Sequence, residues 1–481
     1  MPHDITPRRL AAEAKASASA SGTAKADAPV YPVVINTAPK VYPPVRAQSN
    51  GAGKAKPRLA FTADDKARLD AILHAAVDSR QVNALTFAVS DAEGELYFNC
   101  AGERVFGEPD KGQVDERTMF QLFSCTKLVT SVACLLLVDE GVISLDNPAV
   151  IDHYLPEVAC QPILRGYASD APGSEILEPR TTPLTLRHIL SHTSGLAYGL
   201  FSPVLERWMK ERGCYSRHFF DDEDGGVSGH IGVPLVSSPG ERFVYGIGID
   251  WAGILVERAS GLTLEEFFQK NIFTPLGLKD LVWYADADVR SRLQQACGRL
   301  QGELVHSTGI RTIIGPEKKI KQYAGGGGLL GTAKDYLAFL RAILASSKPG
   351  GLLSPESYTE LFANSLPPRG DNTSAYEDLA NVVYTQPYSD ENMCANGGQG
   401  LAHSIGLTIN TVESAHGRKA GSGTWGGACK TDYWIDPATG IVGMCFAQIF
   451  APAPDPPATE PFNVAHETFE RAVYDAIEAK E

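Results

Sequence analysis

The sequence predicts a mixed α/β (α+β) fold: an antiparallel sheet assembled from N- and C-terminal segments, flanked by helices, with a mainly helical subdomain inserted between them. Three observations lead there. Strand-like stretches occur at 84–104 and again at 403–410 and 432–450. Helical patterns dominate about 120–345, and further helical stretches stand near the start and at the end of the chain. Strands separated by a long run of helices complete one sheet when the helices form an inserted unit.

Taken in order, residues 1–58 differ from the rest. "RRLAAEAKASASASGTAKADAP" is poor in large apolar residues and the stretch after it is rich in proline, so neither supports a core. They read as a tail, and 59–481 as one folded domain with the helical subdomain of about 120–345 inserted. The basic, Ser- and Ala-rich start resembles a transit peptide, although Asp4, Glu13 and Asp27 count against that. Thr62 caps a helix whose apolar face is Leu69, Ile72, Leu73 and Ala76. "ALTFAVSDAEGELYFNCAGER" then reads as two strands around a turn. Inside the helical part, Thr263 and Glu266 form a capping box. Toward the C-terminus "HSIGLTIN" reads as a strand, "DYWIDPATGIVGMCFAQIF" as two strands joined at Asp436, and a last helix starts near Glu460.

Composition bounds the function. The 481 residues are 43% hydrophobic and 21% charged, enough for a large core. A formal charge of -14 repels phosphate backbones and anionic lipid, so neither nucleic acid nor membrane is an expected partner. No apolar run approaches the roughly 20 residues of a membrane helix. Nine scattered cysteines without a C-x-x-C pair favour reduced thiols and a cytoplasmic location, the tail leaving organelle targeting open. No cofactor and no metal site is implied.

Chemistry centres on Ser124 and Lys127, three residues apart at the start of an apolar helix. Positions i and i+3 share a helix face, so hydroxyl and amine can meet. In apolar surroundings the amine's pKa is expected to fall, leaving it free to accept the serine proton. A helix N-terminus would favour the alkoxide that results. An isolated S-x-x-K is more often a cap and a snorkelling lysine.

The pair has company. Ser124-x-x-Lys127, "LTLRHILSHTSGL" at 184–196, "PGERFVYGIGIDWAGILVERASG" at 239–261, "YAGGGGLLGTAKDYLAF" at 323–339 and "GSGTWGGACKTDYWIDP" at 421–437 form an ordered set. It resembles the serine beta-lactamase and penicillin-binding-protein superfamily, over about residues 62–475. Within it, the set is most similar to the class C-like branch of esterases and transesterases, with the family VIII carboxylesterases and fungal lovastatin-type acyltransferases. The resemblance implies a beta-lactamase/transpeptidase-like fold, Ser124 as nucleophile, and Lys127 and Tyr245 as general base and acid. It also implies an oxyanion hole from the N–H of Ser124 and that of Gly427 or Ala428. Two departures stand out. Ile247 occupies the place of an asparagine, and Trp425-Gly426-Gly427 replaces Lys-Thr-Gly. Trp425, Gly426 and Ile247 are therefore expected to line an apolar substrate site unsuited to beta-lactams.

The implied reaction is acyl transfer from a small-molecule ester or thioester, with a carrier-bound donor possible, to water or to an acceptor alcohol or amine. A non-catalytic binding protein on the same fold is the alternative of another class. The stretches 197–235 and 364–400, with Trp208, Tyr215, Phe219 and Phe220, are expected to shape the pocket. Other signals read as structural. His188 and His192 lack the zinc-protease glutamate, Gly325 to Gly328 lack the phosphate-loop lysine and suggest close backbone approach, and Asp250 orients its neighbours. Cys125 points about 100° from Ser124 on a helix. "AHSIG" around Ser404 resembles a serine elbow, with Asp432 or Asp436 and His466 in order, but it lacks the strand and helix context, so Ser404 reads as a strand residue.

Overall fold

The computed structural model describes residues 59–214, 232–300, 302–306, 313–317, 320, 322–370, 374–450 and 460–480. The tail 1–58, Tyr215, Phe219 and Phe220 lie outside them. The elements that position the site run from Ala63–Asp78 (α1) through Ala84–Asp91 (β1), Glu95–Gly102 (β2) and Met119–Gln121 (β3) to Thr126–Asp139 (α2). Leu186–Leu190 (α3), Pro203–Glu211 (α4), Gly248–Ser260 (α5), Leu281–Val282 (β4), Leu330–Thr332 (β5), Ala333–Ala345 (α6) and Ser374–Val383 (α7) follow. Leu401–His403 (β6), Thr408–Asn410 (β7), Gly423–Gly427 (β8), Thr431–Asp436 (β9), Ile441–Phe446 (β10) and Pro461–Glu478 (α8) close the chain.

The main sheet has the order β6-β7-β8-β9-β10-β1-β2, antiparallel throughout. Distant parts of the chain meet where β1 pairs with β10, Phe87 opposite Cys445. The expected sheet from N- and C-terminal strands is thus present. Period-two alternation splits each central strand between two cores. Leu85, Phe87 and Val89 join Trp434 and Cys445 beneath α1 and α8, while Ala88, Tyr433, Ile435, Val442 and Met444 face the helical side. On the first side Phe87 stacks on Phe469 of α8 with ring centroids 4.1 Å apart. Both faces are covered, which is why β1 reads as a nearly unbroken apolar run.

Thr62 caps α1 in a capping box with Asp65, and Glu460 caps α8. α2 is buried from Thr126 to Leu137, the mark of a helix enclosed on all sides. The inserted region is mainly helical but also carries a small sheet, β3-β5-β4, and two hairpins, and its helices continue past 345 to Gly398. Among the described residues no helix is long and apolar enough to cross a membrane.

Candidate active site

The site grows from one short run. β3 ends at Gln121, a single 3-10 turn covers Phe123–Cys125, and α2 begins at Thr126. Phe123 takes the left-handed conformation, φ 44°, which for a bulky residue costs on the order of 1–2 kcal/mol. That bend lifts Ser124 out of the core at the N-terminus of α2, where the helix dipole favours negative charge. Cys125 turns the other way. Its thiol donates to the Thr431 carbonyl at 2.9 Å, and burial pushes it up to about 12, so it packs and does not react.

Lys127 lies one turn further on and is 3% exposed. Its amine donates to Ser124 Oγ at 3.2 Å, to the Tyr198 hydroxyl at 3.1 Å and to the Gly326 carbonyl at 2.6 Å. Those partners match the three N–H donors of an ammonium. Burial, the largest single influence, pulls its pKa down, but Tyr198, Tyr245 and Asp250 together outweigh it, and the net direction is up. The expectation of a lowered lysine pKa therefore fails. Apolar surroundings are there, but they come with oxygens aimed at the nitrogen, and the sequence shows only the apolar part.

Tyr245 completes the group. Its hydroxyl donates to Ser124 Oγ at 2.7 Å, and Lys127 Nζ stands 4.9 Å from its ring centre. Tyr198, which sequence reasoning missed, packs against Tyr245 with centroids 5.5 Å apart, its own pKa raised by burial ahead of the opposing pull of Lys127. The signal was available, an aromatic two residues after the "SGL" turn, but only folding carries it to a lysine 71 positions away.

The glycine run lies under this cluster. Thr130 Oγ1 donates to the Gly325 carbonyl at 2.7 Å, and the Gly326 N–H donates to Asp250 Oδ1 at 2.6 Å. A Cβ at Gly325 would lie 2.7 Å from the Ile249 carbonyl, and one at Gly328 would overlap Trp283 at 1.3 Å. Close backbone approach is what these glycines serve. Asp250, 2% exposed, holds the turn.

Opposite Ser124 runs the edge of β8. β7 pairs with β8 at Gly423 and Thr424 alone, so Trp425 to Gly427 face the cavity on that side. A Cβ at Gly427 would meet Thr431 Oγ1 at 2.2 Å and the Leu122 carbonyl at 2.4 Å, so only glycine brings this edge against the nucleophile turn. Gly427 and Ala428 both border the cavity with Ser124. Trp425 is 4% exposed and packs on Tyr245 at 5.2 Å and Tyr388 at 6.3 Å. The cavity holds about 650 Å³ and is walled by Tyr245, Trp425, Tyr388 and Phe201, with Arg242 and Asp378 at its polar end. Phe201 and Asp378 come from the two stretches expected to shape it; Trp208 does not line it and instead stacks under Arg212.

Ile247 is a correction. It is 2% exposed, sits at the N-terminal boundary of α5 within the core, and borders no part of the cavity, because the chain turns into the helix two residues after Tyr245. Ser404 is another. It occupies the turn between β6 and β7, not a strand, and its Oγ accepts from the N–H groups of Gly406 and Leu407. His466 faces Trp434 and Glu470 beneath the other side of the sheet, and Asp436 is bonded by Tyr474. His188 takes part in the capping of α3 through Thr185. His192 lies edge-on to Tyr245 at 4.8 Å, held neutral by burial. Among the described residues no group of three or more His, Cys, Asp or Glu side chains could hold a metal ion.

Comparison with known proteins places the chain in a family. The chain is 30% identical over 425 residues to monacolin J acid methylbutanoyltransferase of Aspergillus terreus, covering 86% of this chain and 97% of that protein. It is 31% identical over 395 residues to lovastatin esterase of Penicillium rubens, covering 80% and 93%. The unliganded simvastatin synthase LovD from Aspergillus terreus superposes with a TM-score of 0.72 at 28% identity, over 86% of this chain and 98% of that one. EstCE1, a hydrolase with promiscuous acyltransferase activity, shares the fold with a TM-score of 0.65 at 18% identity, over 86% of this chain and all of that one. The Beta-lactamase family model matches residues 69–466, and the chain belongs to that family.

Proposed function

We propose that this enzyme transfers acyl groups from a neutral ester or thioester through an acyl-enzyme on Ser124, to a bound alcohol or amine or to water. The observation that carries it is the triangle of Ser124 Oγ with the Tyr245 hydroxyl at 2.7 Å and Lys127 Nζ at 3.2 Å. With the Tyr245 hydroxyl proton given up to solvent and the phenolate held by the Lys127 ammonium, Ser124 Oγ attacks the carbonyl carbon and its proton passes to the Tyr245 oxygen. Lys127, as an ammonium, donates to the oxygens that gain negative charge; it supports the base rather than acting as one. The carbonyl oxygen is received by the N–H of Ser124 and that of Gly427 or Ala428. The bond to the leaving group then breaks, and that group takes the proton from Tyr245. Deacylation repeats the steps with the acceptor's O–H or N–H in place of the serine.

Neutral substrates follow from the wall opposite the serine. Trp425 supplies no cation, and burying an unpaired carboxylate there is costly. Relatives named as a transferase and as an esterase make both acyl fates accessible to this architecture. We place the enzyme in the cytoplasm, since all nine cysteines are thiols and no two form a disulfide.

Intact-mass measurement with short- and medium-chain thioesters tests the proposal. The protein should gain one acyl mass that maps to Ser124 and leaves when an alcohol acceptor is added. An adduct that persists in Ser124→Ala would overturn the assignment.

A further inference from the structure

Beyond the groups at its tip, Lys127 is fixed from behind. The Gly325-Gly326 turn is clasped between α2 and α5: Thr130 holds the Gly325 carbonyl from one side, and Asp250 holds the Gly326 N–H from the other. The carbonyl of that same Gly326 accepts from Lys127 Nζ at 2.6 Å, the shortest of the lysine's three bonds. Gly326 can occupy this place only without a side chain, since a Cβ would stand 2.7 Å from Asp250 Oδ2. Asp250 is also in the first turn of the helix that Tyr245 leads into. One carboxylate thus ties the backbone behind the lysine to the segment that carries the phenol.

We infer that Asp250 is a positioning residue for the acyl-transfer reaction: through Gly326 it fixes the Lys127 amine, aimed between Ser124, Tyr198 and Tyr245. This rests on the functional reading above and extends it to a residue that touches no substrate. The groups facing the lysine are Ser124 and Cys125 from the turn before α2, His192 and Tyr198 from the segment after α3, and Tyr245 and Asp250 around the start of α5. Asp250 is the carboxylate of the set. The buried imidazole of His192 is held neutral, and burial raises both the Cys125 thiol and the Tyr198 phenol. Asp250 is thus the carboxylate that helps Tyr198 and Tyr245 pull the Lys127 pKa up.

Asp250→Asn separates charge from shape, because its amide oxygen can still accept from the Gly326 N–H. In the variant kcat for a nitrophenyl ester should fall about 10- to 100-fold while KM stays within about twofold. The alkaline limb of the kcat profile should move to lower pH by about one unit, since loss of the opposing charge lets the ammonium deprotonate earlier. Gly326→Ala, which pushes on the same carboxylate from the other side, should lower kcat in the same way, and Asp250→Glu should recover part of it. Thermal melting is followed in parallel. An Asp250→Asn protein with a lower Tm but an unshifted pH profile and unchanged kcat would reduce Asp250 to a structural residue and overturn the inference. Labelling by a nitrophenyl phosphonate keeps the two levels apart. Wild-type label on Ser124 with an unshifted variant profile sinks the inference alone, whereas no label on Ser124 sinks the acyl-enzyme reading and the inference with it.

Discussion

Replacing Tyr245 by phenylalanine removes one oxygen and little else. The ring's contacts, with His192 at 4.8 Å, Trp425 at 5.2 Å and Tyr198 at 5.5 Å, are available to phenylalanine, so the fold should lose only about 1 kcal/mol for the missing hydrogen bond. Chemistry should lose far more. Ser124 Oγ keeps Lys127 as neighbour, but an ammonium whose three donors are already engaged has no lone pair to accept a proton. A positioned general base contributes roughly 10² to 10⁴ in rate, which is about 3 to 5 kcal/mol in the acylation barrier. The assay is stopped-flow acylation by a nitrophenyl ester, with the burst of nitrophenolate counted against Ser124 adducts by mass. Binding should change little, so the loss belongs in the acylation rate. Acylation within about threefold of wild type would refute the argument and return the role of base to Lys127.

Three further outcomes follow from the same geometry. Ser124→Ala should abolish phosphonate labelling and turnover, whereas Ser404→Ala should keep both while losing about 1–3 kcal/mol of stability, because one buried and one part-buried N–H group lose their acceptor; the reverse pattern in a labelling gel would exchange their roles. Burial lowers His403 from 6.5 to about 4, so the unfolded chain binds the proton first as pH falls; its contribution is complete above about 6.5 and lost toward 4, about 2 kcal/mol by pH 5. Wild-type Tm should drop between pH 7 and 5, and His403→Gln should flatten that drop; an equal slope in the variant argues against it. Wild-type kcat/KM should rise with acyl length, up to about fourfold per methylene at 0.8 kcal/mol each until the cavity fills, with nitrocefin a poor substrate and Trp425→Lys improving it. Nitrocefin turnover equal to that of the best ester in the wild type would contradict the neutral-substrate argument.

Much of the site is visible along the chain because its parts are local. Ser124 and Lys127 share a helix face whatever else the protein does, and the glycines at 325–328 announce close packing before their neighbours are known. The alternating strands at both ends likewise imply a shared sheet, since each carries an apolar face that must be covered. Tyr198, Asp378 and Tyr388 were harder to see, as each is an ordinary residue until the chain folds back on the serine.

What the sequence determined by itself was therefore the kind of fold and the Ser124–Lys127 pairing, because periodicity and short-range spacing are properties of the backbone, while Tyr245 and acyl transfer came from the family resemblance. Tertiary structure alone decided the direction of the Lys127 pKa, the exclusion of Ile247 from the cavity and the placing of Ser404 in a turn. The physical reason is common to all three. A pKa depends on every dipole within a few ångströms, and a side chain's accessibility depends on where the backbone bends just before and after it. For Lys127 those dipoles belong to Gly326, Tyr198 and Asp250, at sequence distances of 199, 71 and 123, and only the packed core brings them to one nitrogen.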